Sequence, residues 1–101
     1  MNLNEFQEES TKLIKEIDKK YGRNHDIKVT LIHLVEEFGE IAREIYNQEV
    51  GRGKMDKDNL KGEISDVLML LAHLANCFDI KIEEAIKRKF SELKERFGLK
   101  K

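Results

Sequence analysis

Four carboxylates carry the chemistry that this sequence offers. Glu37 and Glu40 lie in "HLVEEFGEIAREI" (33–45), and Glu63 and Asp66 in "KGEISDVLMLLAHLANCF" (61–78). In each stretch the two acids stand three residues apart among apolar residues, which makes them neighbours on one face of an α-helix. Two such pairs on facing helices offer a ring of hard oxygen donors, the ligand set that a divalent cation takes. Burying ionised carboxylates is costly without a compensating positive charge. Neither stretch supplies a Lys or Arg at the right place in the same row, so a cation is the simplest compensation. Acid pairs at this spacing also decorate solvated helix faces. What separates the two cases here is that both pairs sit beside apolar stripes on successive helices.

The elements that must position these acids read as helices throughout. There is no proline, Lys, Glu, Leu and Ile dominate, and strand-like alternation is absent. Breaks at Gly22, at Gly51 with Gly53, at "DIK" (79–81) and at Gly98 divide the chain. The helices expected are roughly 3–20, 27–49, 57–77 and 82–97, with Asp26, Asp58 and Asp79 as N-caps. On the second, Leu31, Leu34, Val35, Phe38, Ile41, Ala42 and Ile45 form one stripe, with Glu37 at its edge and Glu40 further round. On the third, Ile64, Val67, Leu68, Leu71, Leu74, Ala75 and Phe78 form the stripe, with Glu63 and Asp66 beside it. That helix is apolar nearly all round, so it and its acids are expected to be at least partly buried. The fold class expected is an all-α bundle of four to five helices in a single domain over 1–101, completed by oligomerisation.

Composition excludes several function classes. Charged residues are 39% and hydrophobic ones 40% of 101 residues, the balance of a folded domain with one modest core. A net charge of -1 gives no nucleic-acid signature. The lone Cys77 excludes an internal disulfide and a multi-cysteine zinc site, and is read as a small buried apolar residue. The longest nearly uncharged run, 67–78, is too short to span a bilayer, and no N-terminal apolar run reads as a signal peptide. The expectation is a cytoplasmic protein with neither membrane nor nucleic acid as partner. No Glu-x-x-His occurs, so the di-iron bundle signature is missing.

"EEFGE" (Glu36, Glu37, Glu40), followed after a short linker by "EISD" (Glu63, Asp66), resembles the EExxE…ExxD signature of the MazG-like, all-α nucleoside triphosphate pyrophosphohydrolases. The order "LVEEFGEIA", "EISDVLMLLAHLAN", "FDIKIEEAI", "KFSELKERF" follows that family from about residue 29 to 97. The resemblance implies Mg²⁺-dependent hydrolysis of a nucleoside triphosphate between its α- and β-phosphates, giving a monophosphate and pyrophosphate, with Mn²⁺ as a substitute metal. It implies Glu37, Glu40, Glu63 and Asp66 as metal ligands and Glu36 as a supporting or water-orienting residue of the catalytic set. It also implies assembly as a homodimer or homotetramer. Lys89 and Arg96 match basic residues that contact phosphates in the family, and Lys61, Arg52 and Lys54 could close over them or be plain solvated lysines and arginine. The dCTP pyrophosphatase pattern has an Asn four residues after the Lys, where Leu93 stands here. Two rival readings are a phosphoribosyl-ATP pyrophosphohydrolase-like enzyme and a non-catalytic helical interaction module. His25 and His33 are read as capping or core hydrogen-bonding residues. His73 is read as a satisfied core histidine, or as a residue supporting the ligands from behind.

Overall fold

Helix starts and stops follow local chemistry in this computed structural model, which describes residues 1–99. Asn2 opens α1 (Leu3–Tyr21) with a capping box, its side chain accepting from the Glu5 N–H while Glu5 reaches back to Asn2. Gly22 closes α1 at φ 64, a left-handed geometry that glycine adopts without strain, and its N–H returns to the Asp18 carbonyl. Asp26 caps α2 (Ile27–Glu49) through the Val29 N–H, as its position suggests. The other two expected caps are displaced. Asp56, not Asp58, caps α3 (Lys57–Cys77), accepting from the Asp58 N–H itself. Asp79 does not cap α4 (Ile82–Arg96). It sits in the preceding turn at φ 56, and Lys81 holds the cap position without a side-chain hydrogen bond.

The missing cap is supplied from the other end of the molecule. Gln7, buried on α1, accepts from the Ile82 N–H through Oε1 and donates Nε2 to the Ile80 carbonyl and to Asn76 Oδ1. Asn76 in turn donates to the Gln7 carbonyl and to Thr11 Oγ1. A single amide thus joins α1, the end of α3 and the start of α4. Gln7→Leu keeps the bulk but orphans a buried N–H, a carbonyl and the Asn76 amide. It is expected to cost about 2–4 kcal/mol, at about 1–3 kcal/mol for each buried group left unpaired less relaxation, read as a lower midpoint in urea unfolding.

The regular elements among the described residues are all helices, so the all-α reading holds. α3 is the central element. α1 and α2 both pack along it, and α4 leans against α1. The seven-residue connection 50–56 folds α3 back along α2. Ile14, Leu34, Val67 and Leu70 form the core, with Ile41 and Leu74 packed against it. No helix among the described residues is long and apolar enough to cross a membrane.

The expected stripes are split by this packing. Leu34 and Ile41 on α2, and Val67 and Leu74 on α3, face inward, whereas Leu31, Val35, Phe38 and Ile45, and Ile64, Leu68, Leu71 and Phe78, are exposed. Three packed helices cover one row of each helix, and nothing in the single chain covers the second. Asp66 is likewise exposed rather than partly buried. The chain exposes 8113 Å², about 2,200 Å² more than the roughly 5,900 Å² of a compact 11.9 kDa monomer. Its radius of gyration is 16.6 Å, against about 13 Å for a compact chain of this length.

Candidate functional site

On α2, His33, Glu37, Glu40 and Glu44 recur at intervals of four, three and four, one row on one face. Along the helix that folds back beside it stand Glu63 and Asp66. Glu37 registers the crowding. Burial first, then the charges of Glu40 and Asp66, push its carboxyl above the ordinary value, against an opposing pull from His33. Glu40 on the same helix and Asp66 on the next therefore both act on Glu37. Glu63 and Glu44 are half-buried, and Glu63 Oε1 and Glu44 Oε2 are buried oxygens without a hydrogen-bond partner. Unpartnered carboxylate oxygens on both α2 and α3, with a carboxyl on α2 already pushed up by its neighbours, suit a cation. Among the described residues, the ligand atoms that come within 4.8 Å of one another belong to His33, Glu36 and Glu37.

The basic residues stand apart from this row. Lys61 reaches Asp58 at 3.7 Å on its own exposed turn. Lys89 pairs with Glu92 at 3.3 Å, and Arg96 is exposed near the end of the same helix, α4, which packs on α1. Arg52 lies over the Tyr46 ring at 5.7 Å. Arg23 is placed differently. It lines a cavity of about 220 Å³ with Asp18, His25, His33 and Asp66, walled on the apolar side by residues such as Ile14 and Leu70.

The histidines are all engaged. His73 Nε2 donates to the His25 carbonyl at 2.8 Å, and its Nδ1 accepts from Thr11 at 3.0 Å, so it is a satisfied core histidine. His25 and His33 do more than cap. Asp18 accepts from the His25 N–H at 2.6 Å and from His25 Nδ1 at 2.8 Å. His25 Nε2 meets His33 Nδ1 at 2.9 Å, and His33 Nε2 meets Glu37 at 3.2 Å. A continuous chain therefore runs from a buried carboxylate on α1 to the acid row on α2.

Burial acts to raise the Asp18 carboxyl, but the His25 ring and backbone hydrogen bonds, with the charges of His25 and Arg23, outweigh it and hold the group below its ordinary value. A carboxyl with a lowered folded value adds stability that is present above its unfolded value, 3.8, and is lost as pH falls through the folded one. Asp18→Asn is therefore expected to be about 2 kcal/mol less stable than the parent at neutral pH, the size of a hydrogen bond to a charged group. The gap should close in acid well below 3.8. Thermal melts across that range check it. A constant gap would mean that the charge of Asp18 contributes nothing.

Sequence reasoning passed over Asp18 and Glu44. Glu44 carries a legible signal, four residues after Glu40 on the same row. Asp18 carries none, because its partner lies seven residues on, across the turn that Gly22 makes.

Three comparisons bear on this site. The model of the MazG nucleotide pyrophosphohydrolase domain matches residues 25–97, from His25 through α4. The uncharacterized protein YpjD of Bacillus subtilis (strain 168) is 41% identical over 58 residues, 54% of this chain and 52% of YpjD. The chain spans about half the length of that curated relative. No solved structure matches.

Proposed function

The chain belongs to the MazG nucleotide pyrophosphohydrolase domain family, and from that premise we propose that it hydrolyses a nucleoside triphosphate between the α- and β-phosphates, releasing a monophosphate and pyrophosphate. The observation that carries this is the crowding of Glu37 by Glu40 on its own helix and by Asp66 on α3, the helix packed along α2, which also holds the unpartnered Glu63 oxygen. Glu37, Glu40, Glu63 and Asp66 would hold Mg²⁺. Bound there, the ion would neutralise the triphosphate and acidify the attacking water. Glu36, exposed next to Glu37, orients that water by accepting its hydrogen bond. The cavity beside Asp66 takes the base against its apolar wall. Lys89, Arg96 and Lys61 remain the proposed phosphate contacts, Lys89 exchanging Glu92 for substrate.

The working unit in this proposal is at least a homodimer. The exposed positions Leu31, Val35, Phe38 and Ile45 with Ala42 between, and Ile64, Leu68, Leu71 and Phe78 with Ala75 between, follow intervals of four and three on two adjacent helices. That is the spacing of an interhelical seam. A second copy laid on the plate makes a four-helix bundle. The surplus of about 2,200 Å² per chain is in the range that obligate dimers bury.

The test is pyrophosphate release from a panel of ribo- and deoxynucleoside triphosphates and phosphoribosyl-ATP with Mg²⁺. Release from one or more nucleoside triphosphates supports the proposal. Turnover of phosphoribosyl-ATP alone, or of nothing, overturns it.

A further inference from the structure

The cavity beside Asp66 keeps one polar side chain with which to read what enters it. Both Asp18 oxygens are engaged by His25, through its N–H at 2.6 Å and its Nδ1 at 2.8 Å. The His25 and His33 rings engage each other at 2.9 Å, and His33 reaches Glu37 at 3.2 Å. Asp66 belongs to the proposed metal set. That leaves Arg23, whose guanidinium lines the cavity and makes no hydrogen bond or ion pair among the described residues.

A guanidinium carries five N–H donors in a planar fork and no acceptor. The Tyr21 ring lies 5.0 Å from Arg23 Cζ, a contact that steadies the charged group through its π-face. Opposite the polar groups, Ile14, Ile17, Met69 and Leu70 offer an apolar wall for the flat face of a base. The volume, about 220 Å³, is below the roughly 300–1,000 Å³ that holds a whole drug-sized ligand, and suits a base alone. A base seated there turns an edge to a group that can only donate. Guanine and hypoxanthine answer with two adjacent acceptors, O6 and N7. Adenine sets an amino donor beside N7, and thymine and uracil offer O4 alone.

We propose that Arg23 selects the base, and that the preferred substrates are triphosphates of the 6-oxopurines guanine and hypoxanthine. The inference rests on the proposed seat of the base in this cavity and names that base. Ile14, Ile17, Asp18 and Arg23 all precede residues 25–97, the segment that matches the family, so this selecting wall lies outside the shared domain.

The experiment compares the full chain with Arg23→Lys and Arg23→Gln. Turnover of GTP, ITP, 7-deaza-GTP and ATP is measured with Mg²⁺, and binding of GMP and AMP by calorimetry. In the parent, kcat/KM for GTP and ITP should exceed that for ATP by about 5- to 150-fold, the range that one bidentate pair gives. The value for 7-deaza-GTP, which keeps O6 and loses N7, should fall between. Both variants should level GTP with ATP, Arg23→Lys because it keeps the charge beside Asp18 but lacks the fork. No guanine preference in the parent, or one that both variants keep, overturns Arg23 as the reader and leaves hydrolysis standing. An equal loss on every nucleotide makes Arg23 a phosphate contact and overturns the inference too. If no triphosphate turns over, hydrolysis falls and binding decides. GMP held more tightly than AMP by the parent, and not by Arg23→Lys, then upholds the base site, and equal or absent binding overturns it. Arg23→Lys decides alone where Arg23→Gln fails to fold.

Discussion

Asp66→Asn is expected to lower pyrophosphate release by about 10³-fold, the loss of roughly 4 kcal/mol of transition-state stabilisation when a hard anionic ligand goes. The same substitution should leave the metal-free protein at least as stable as the parent. Asp66 is exposed, makes no side-chain hydrogen bond among the described residues, and its charge helps to push up the Glu37 carboxyl. A carboxyl raised in the fold adds stability that is present below its unfolded value, 4.5, and lost as pH rises through the higher folded value. The metal-free parent should therefore lose stability over that rise, and Asp66→Asn should lose less. Adding Mg²⁺ should raise the melting temperature of the parent by ligand linkage, and that of the variant by less. A variant that melts well below the parent in chelator would make Asp66 a structural residue. One that also turned over normally would remove it from the site.

Val35→Asp is expected to hold the protein as a monomer and to abolish activity with it. Val35 is 64% exposed in the single chain, so a carboxylate there costs the isolated fold little. In a two-fold interface the change occurs twice. An unpaired charge buried against the partner costs about 3–5 kcal/mol, so dissociation should strengthen by at least 10⁴-fold. Sedimentation should show a folded monomer with unchanged helical circular dichroism. A Val35→Asp dimer of full activity would show that this plate is not the interface, and loss of helix would show that the residue serves the monomer's own fold.

The helices were legible because their signals are local. Gly22, Asp26 and the periodic apolar residues act within a few positions of where they stand, and the observed bounds Leu3–Tyr21 and Lys57–Cys77 follow the expected ones closely. The cap of α4 was not legible, because Gln7 provides it from 75 residues away. Nor was the inner and outer division of the stripes. Leu34 and Val35 are equally apolar in sequence, and only the placement of α1 and α3 decides which is covered. The acids were found from their spacing and their motif. Asp18 and His25 were not found as part of the site, since the link from Asp18 through two imidazoles to Glu37 exists only once α1 and α2 are folded together.

Which bond breaks is decided most directly by running the reaction in H₂¹⁸O with Mg²⁺ and following it by ³¹P NMR. The proposed chemistry gives nucleoside monophosphate and pyrophosphate as first products, with one ¹⁸O on the phosphorus that the water attacks and no orthophosphate. Orthophosphate with a nucleoside diphosphate as first products, or unlabelled triphosphate after prolonged incubation of the folded, metal-loaded protein, would contradict it.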